Sequence, residues 1–575
     1  MESWGYLEMI ETFSNKEIKK DSKIAYFSME IGIDSRIPTY SGGLGVLAGD
    51  TLKSFADLKV PVVGITLLYK KGYYYQKLDE RGNQIELPVQ WTPSDFLELL
   101  PEKINVKIEN RDVIVQAWQY NLESVDGRNT TVPILFLDTD ISENSNYDRS
   151  LTDKLYGGDE KYRLAQEIIL GIGGVHILRK LGYNSIKKYH MNEGHASLLV
   201  LELLRELKKQ EDSSLDFDAV RDMCVFTTHT PVPAGHDKFS YDLVKNVLGE
   251  FLPIDVLKML AGEKNFNMTL LALNSSKYIN GVAKKHGEVS REMFPNYSID
   301  SITNGIHSYS WASGSFRKLY DKYIPGWTKD PFTLRYTISI PKTEIWNVHL
   351  EAKKNLIDYV NKETNAGMDY ETFTIGFARR ASTYKRADLL FFDNHRLVNI
   401  SKIGKIQIIF AGKAHPKDIP GKEIIKKIFS HIHNLKTDIK IAYLEDYNIE
   451  LGKMITSGVD LWLNTPLKPR EASGTSGMKA SLNGVPNFSV LDGWWIEGCI
   501  EGITGWSIGT KLAEENSDKK DAEDLYAKLE NIIIPMFYKY REQWLNIMQY
   551  SIAFNASFFN THRMVHQYVL NAYLD

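Results

Sequence analysis

Apolar and polar positions repeat along this chain with two periods, and the switches between them mark out the elements. Lys23 to Glu30 is a short apolar run that reads as a buried strand. Tyr40 to Asp50 is a glycine loop that opens an amphipathic pattern running through Leu58, and Val62 to Tyr69 is a second apolar run. Strand, glycine loop, helix and strand is the order of a crossover unit with its loop at a strand's carboxyl end. A weaker amphipathic pattern around Tyr6 to Phe13 predicts a helix ahead of it.

Residues 72–140 read as β-rich, with β-branched runs at Val113 to Trp118 and Val132 to Leu137. A long helical period follows from Tyr162 to Leu181. His190 to Ser197 then leads into a leucine-rich helix ending near Lys208, and Val225 to Pro231 reads as a strand end feeding a loop. Residues 312–345 have mixed polarity, broken by Pro325-Gly326 and Pro331, and read as a linker. A helix is expected from Lys342 to Lys362.

Beyond it the alternation is regular. Strands fit Thr372–Ala378, Ile406–Gly412, Lys440–Leu444 and Asp460–Asn464. Helices fit Ala387–Asn399, Gly421–Asn434, Ile449–Thr456 and Thr475–Leu482, and more helices fill 521–548 and the tail. Apolar runs alternating with amphipathic stretches predict a parallel sheet covered on both faces. At 575 residues the chain exceeds one core. Two domains, 1–310 and 311–575, are therefore expected, with the C-terminal helices packing back on the first.

Composition narrows the class without naming a chemistry. A formal net charge of −4 and no long basic run leave no case for a nucleic-acid partner. Two cysteines, Cys224 and Cys499, do not make a disulfide framework and fit a reducing compartment. Met1 to Lys23 carries charges and no apolar signal core, and Ile168 to Leu178 is too short and glycine-broken to span a bilayer. The expectation is a cytoplasmic α/β protein with no membrane partner. The oligomeric state is left open, a homo-oligomer included.

Two stretches carry the charge chemistry. Arg470 to Lys479 is small and polar, follows the apolar run Val459 to Leu463, and enters a helix start, where free N–H groups suit an anion. Its ordinary alternative is a surface turn capped by Thr475 or Ser476. Arg379 to Arg386 packs Arg379, Arg380, Lys385 and Arg386 into eight residues at a strand's carboxyl end. Cations crowded beside apolar Phe377, Ala378 and Leu389 are unfavourable unless an anion joins them, and arginine forks suit phosphate. A solvated basic loop is the alternative there. The loop Gly42-Gly43-Leu44-Gly45 has neither dinucleotide spacing nor a P-loop lysine, so packing and ligand roles both stay open. Glu193 and His195 lack the histidine spacing of a metal helix, and no metal site is expected.

In this order Ser-Gly-Gly-Leu-Gly, Asn-Glu-Gly-His, Thr-His-Thr-Pro, Thr-Asn-Gly-Ile, Tyr-Lys-Arg and Glu-Ala-Ser-Gly-Thr-Ser-Gly-Met-Lys resemble the α-glucan phosphorylases, the glycogen, starch and maltodextrin enzymes. The resemblance runs from Ile24 to Trp506 and is nearest to the short microbial branch, since only about two dozen residues precede its start. It implies two Rossmann-like domains facing each other across a cleft, a GT-B arrangement. It also implies phosphorolysis of terminal α-1,4-glucosyl residues by orthophosphate, giving glucose 1-phosphate with retention.

Carried over residue by residue, the resemblance makes Lys479 the Schiff-base lysine of pyridoxal 5'-phosphate. Arg379, Lys385 and the N–H groups of Thr475 and Ser476 would take its phosphate. Arg380 would bind the substrate phosphate, with Gly42 and Gly43 above it. Trp311, Tyr447 and Glu30 would line the cofactor, and His229, Asn304, Glu471, Ser473 and Gly474 would bind glucose hydroxyls. Arg379, Ser41, Ser476, Gly477 and Glu193 depart from the long members, which carry lysine, asparagine, glycine, asparagine and aspartate there. A nucleotide-sugar glucosyltransferase of the starch-synthase type is the main alternative, since it shares the architecture but lacks the imine lysine. A non-catalytic glucan-binding protein is a second. An aminotransferase is the least supported, as it needs a carboxylate at the pyridine nitrogen.

Overall fold

A computed structural model describes residues 21–125, 130–208, 214–510 and 517–574; the helix expected around Tyr6 to Phe13 lies outside them. The first half supplies β1 (Ile24–Ser28), β2 (Val62–Leu67), β3 (Tyr75–Leu78), β4 (Gln84–Leu87), β5 (Glu98–Ile108), β6 (Arg111–Glu123), β7 (Thr131–Asp138), β8 (Lys188–Asn192), β9 (Cys224–Thr227), β10 (Lys238–Phe239), β11 (Phe266–Asn267), β12 (Tyr278–Gly281) and β13 (Asp300–Ser301). Nine of them form one sheet in the order β13-β12-β9-β8-β1-β2-β7-β6-β5. Its centre is parallel, and its β7-β6-β5 edge is antiparallel. The sequence explains the split. β1, β2, β8 and β9 are buried at every position, as strands covered on both faces must be. Along β6, buried and half-buried positions alternate over most of the strand, as expected with one face in water.

The second half supplies β14 (Phe373–Ala378), β15 (Ile406–Ala411), β16 (Lys440–Leu444), β17 (Leu461–Asn464), β18 (Asn487–Val490) and β19 (Gly505–Ile508). They form a fully parallel sheet in the order β16-β15-β14-β17-β18-β19. The reversal beside β14 puts the loops after β14 and β17 at the switch point, where ligands sit in such sheets. The architecture is α/β, with two Rossmann-like halves facing each other across a cleft, the GT-B arrangement.

Residues 312–345 correct the expectation of a linker. Gly314–Tyr323 is helical and Pro331–Ser339 is a tight 3-10 run. Phe316, Tyr320, Trp327 and Leu334 from this stretch are buried in the core of the second half. The segment reads as mixed because it presents only one stripe to that core.

Two devices tie the halves together. The β3–β4 hairpin leaves the first half and docks on the second. Tyr74 donates from its hydroxyl to the Ala414 carbonyl (2.6 Å), and the Leu78 N–H donates to Glu445 (2.7 Å). The C-terminal helix Thr561–Tyr568 returns to the first half, where His562 Nε2 lies 3.1 Å from Asp57. His307 Nε2 lies 2.8 Å from the same carboxylate oxygen.

Candidate active site

The cleft holds a cavity of about 680 Å³ lined from both halves. Every residue singled out above for ligand binding lies on its wall: Glu30, Gly42, Gly43, His229, Asn304, Trp311, Arg379, Arg380, Lys385, Tyr447, Glu471, Ser473, Gly474, Thr475, Ser476 and Lys479. The wall is strongly positive. Arg163, Arg379, Arg380, Lys385, Lys413, Arg470 and Lys479 face only Glu30, Glu193, Asp237 and Glu471 among the acids. A cleft with surplus cations and low-dielectric walls selects an anion.

The two arginines at the β14 end differ. Arg379 is buried, and its guanidinium donates to Asn464 and, at 2.7 Å, to Glu471. Lys385 Nζ reaches the same Glu471 oxygen at 3.0 Å. Burial alone would raise the Glu471 carboxyl, but these two cations outweigh it and hold the group down at about 2. Arg380 is exposed to the cleft and has no hydrogen-bond or ion-pair partner among the described residues. The basic turn is therefore no solvated loop: three of its four cations are buried.

Lys479 stands on the helix Ser476–Leu482, which follows the Arg470–Thr475 loop. Its ammonium lies 3.6 Å from the centre of the Trp311 indole and has no hydrogen-bond acceptor among the described residues. Trp311 is fixed by donating from Nε1 to Asp50 at 2.7 Å. Burial pushes the lysine down to about 8, which makes a free amine available near neutral pH. Thr475 makes no side-chain capping bond, against the ordinary capped-turn alternative. The N–H groups of Thr475 and Ser476 have no protein acceptor among the described residues. Behind the loop, Asp492 accepts the Glu471 N–H at 2.9 Å, and burial raises its own carboxyl to about 7. Gly493 lies so close that a Cβ there would stand 2.3 Å from the Ser473 carbonyl, so the backbones of the two loops touch.

The glycine loop divides by role. A Cβ on Gly45 would come 2.7 Å from Tyr40, and one on Gly49 would come 1.9 Å from the Gly32 carbonyl. Those two glycines serve packing. A Cβ on Gly42 or Gly43 would meet nothing within 4 Å, and neither residue has a positive φ. Nothing in the protein demands glycine at those two positions, and both face the cavity. The Ser41 and Gly42 N–H groups donate to Glu30 at 2.5 and 3.2 Å, while Tyr156 donates to its other oxygen at 2.9 Å.

The sugar-side candidates lie at the ends of β8, β9 and β13. Glu193 has a left-handed backbone, φ 76°, which costs a non-glycine residue about 1–3 kcal/mol and marks functional sites. Its carboxylate accepts from the N–H groups of Gly194 and His229 and from the Thr230 hydroxyl. Burial lowers the His229 imidazole to about 3, so it is neutral. Asn304 Oδ1 is buried with no partner among the described residues, an open acceptor on the wall. Tyr447 is raised to about 12 by burial.

Residue patterns missed Tyr156, Arg163, Asp237 and Lys413. Arg163 stacks over Tyr156 and donates to Asp237 at 3.0 Å, completing the cavity on the first half's side. Tyr156 adjoins Gly157-Gly158 and Lys413 adjoins Gly412, a glycine signal the residue reading passed over, while no motif marks Arg163 or Asp237.

With this geometry in place, comparison with known proteins is informative. The carbohydrate phosphorylase family profile matches residues 39–148 and 142–503. The maltodextrin phosphorylase of Thermococcus litoralis is 40% identical over 97% of this chain and 71% of its own. The glycogen phosphorylase of Aquifex aeolicus is 35% identical over 98% of this chain and 88% of its own. The glycogen phosphorylase of Mycobacterium tuberculosis is 36% identical over 96% and 70%.

Proposed function

Because the chain belongs to the carbohydrate phosphorylase family, we propose that its cleft transfers the terminal α-1,4-linked glucosyl residue of glycogen or maltodextrin to orthophosphate. The product is glucose 1-phosphate with retained configuration. The activity is that of an α-glucan phosphorylase, a transferase of carbohydrate metabolism. The observation that carries the reading is the unpartnered Arg380 on the same cavity wall as Gly42 and Gly43, two glycines that no packing contact requires.

The residues fit pyridoxal 5'-phosphate. Lys479 offers a buried, unpaired amine at about 8 over an indole face, as an aldehyde requires. Arg379, Lys385 and the open Thr475 and Ser476 N–H groups suit its phosphate. Bound there, the group supplies a second phosphate able to exchange a proton beside the substrate's.

The remaining chemistry belongs to the chain. A retaining glycosidase would need a carboxylic acid and a carboxylate about 5–5.5 Å apart across the bond. All four cavity carboxylates are engaged within the protein, Glu30 and Glu193 by N–H and O–H donors, Glu471 by Arg379 and Lys385, and Asp237 by Arg163. Orthophosphate is then the nucleophile. Arg380 holds it, and the Gly43 N–H, which has no protein acceptor among the described residues, closes the shell from the first half. His229, Asn304, Ser473, Gly474 and Glu471 receive the sugar hydroxyls.

We also place the division between the domains near residue 310, with 1–310 on the glucan side and 311–575 carrying the cofactor. No helix of the described chain is long and apolar enough to cross a membrane; a cytoplasmic location is the proposal. The test is release of glucose 1-phosphate from maltoheptaose and from glycogen. Strict dependence on orthophosphate supports the reading, and glucosyl transfer that requires a nucleotide sugar refutes it.

A further inference from the structure

Ser28 and Asn192 end two neighbouring strands. They pair in register where β1 runs beside β8 and are almost completely buried. Neither belongs to the cavity wall. Their side chains nonetheless form a directed relay to it. Ser28 Oγ donates to the Glu30 carbonyl at 2.8 Å, Asn192 Nδ2 donates to Ser28 Oγ at 3.0 Å, and His229 Nε2 lies 2.7 Å from Asn192 Oδ1.

The polarity of this chain is forced from its far end. Among the described residues, the Ser28 hydroxyl is the one donor reaching the Glu30 carbonyl. A buried carbonyl left without a donor costs about 1–3 kcal/mol. The single Ser28 proton is therefore committed, and its oxygen is left to accept. Asn192 must turn its NH2 toward Ser28, and its carbonyl oxygen then faces His229. An oxygen 2.7 Å from an imidazole nitrogen is tolerable only if that nitrogen carries the proton. The imidazole is also held neutral by burial, with His286, His190 and His195 adding to the effect. Nδ1 is thus bare, and no protein group bonds it among the described residues.

We propose that Ser28 and Asn192 are positioning residues that lock His229 in the Nε2–H tautomer and so present Nδ1 to the cavity as a pure hydrogen-bond acceptor. The group it selects is a hydroxyl that can donate. A substituent that can only accept, such as fluorine or a methyl ether, meets a lone pair there. This deepens the phosphorolysis reading and rests on it for the identity of the hydroxyl as a sugar's. The tautomer itself does not depend on that reading.

The experiment is a long-range proton–nitrogen spectrum of the full-length holoprotein labelled with 15N-histidine, with the His229 signals assigned by their loss in His229→Gln. The wild type should show Nε2–H, bare Nδ1 and no titration between about pH 5 and 8. Asn192→Ala and Ser28→Ala should lose that single tautomer. Asn192→Asp keeps an acceptor at the same place and should keep the proton on Nε2. An Nδ1–H tautomer or an imidazolium in the wild type at pH 7 overturns the proposal, even if no variant folds. Unchanged signals in Asn192→Ala overturn it too. In the synthetic direction, Asn192→Ala should raise the KM for glucose 1-phosphate about tenfold, the equivalent of one lost hydrogen bond, with cofactor absorbance unchanged. A protein that keeps the tautomer pattern yet never uses glucose 1-phosphate would count against the function and leave the relay standing.

Discussion

The two walls of the cleft meet the same ligand with opposite preparation. The first half offers Glu30, Glu193 and His229, and each is already fixed by hydrogen bonds within that half, Glu30 from the glycine loop and Glu193 and His229 from neighbouring strand ends. The second half offers Arg379, Arg380, Lys385 and Lys479, two of them paired with the one carboxylate of Glu471 and two with no acceptor among the described residues. On the first wall these three groups are already hydrogen-bonded. The other stores charge that only an anion, or a carboxylate in its place, can neutralise. Geometry is therefore set by the first half, and affinity for phosphate by the second.

The comparison can be broken most sharply at Lys479. Lys479→Ala should abolish cofactor retention and turnover while circular dichroism stays native; normal cofactor absorbance in that variant would move the attachment point elsewhere. In the apoprotein, the rate at which an amine reagent labels Lys479 should rise with an inflection near pH 8, well below an ordinary lysine.

Arg380→Ala comes next. Removing one donor from a developing charge costs about 10²–10³ in kcat. The KM for phosphate should rise and that for glucan should barely move. If phosphate kinetics were untouched, the free guanidinium would have another purpose.

Glu471→Gln probes the stored charge. In the apoprotein it leaves Arg379 and Lys385 buried with no anion, a loss of about 3 kcal/mol by denaturant titration at pH 7. The wild-type carboxyl is depressed in the folded state, so its contribution is full above the ordinary carboxylate range. It is lost as pH falls from about 4 toward the folded value of about 2. The gap between variant and wild type should close over that window. Inorganic phosphate should stabilise the variant more than the wild type.

The smallest effects separate the glycines. Gly42→Ala and Gly43→Ala should change stability by less than about 0.5 kcal/mol yet raise the KM for phosphate. Gly45→Ala should lower the melting temperature, because its Cβ would stand 2.7 Å from Tyr40. Equal losses of stability in all three would erase the distinction between ligand and packing glycines.

The parallel sheet of the second half was legible because β14 to β17 are short, mostly apolar runs, and the observed bounds fall within a residue or so of the expected ones. The cavity's charged wall was legible because its cations crowd into Arg379 to Arg386 and Arg470 to Lys479. Two things had no local signature. Residues 312–345 looked like a linker because their burial depends on a distant core. Arg163 and Asp237 are ordinary residues that long-range folding brings to the cleft. The tautomer relay was hidden for the same reason: Ser28, Asn192 and His229 are far apart in sequence and meet only across strand register.

The most direct test of the account is the fate of the phosphate oxygens. Maltoheptaose should be incubated with orthophosphate carrying 18O at all four positions, and the product read by phosphorus NMR. The account predicts α-glucose 1-phosphate that retains all four labels, because a phosphate held by Arg380 attacks carbon and keeps its own bridging oxygen. A product with an unlabelled bridging oxygen, or the β anomer, would contradict it.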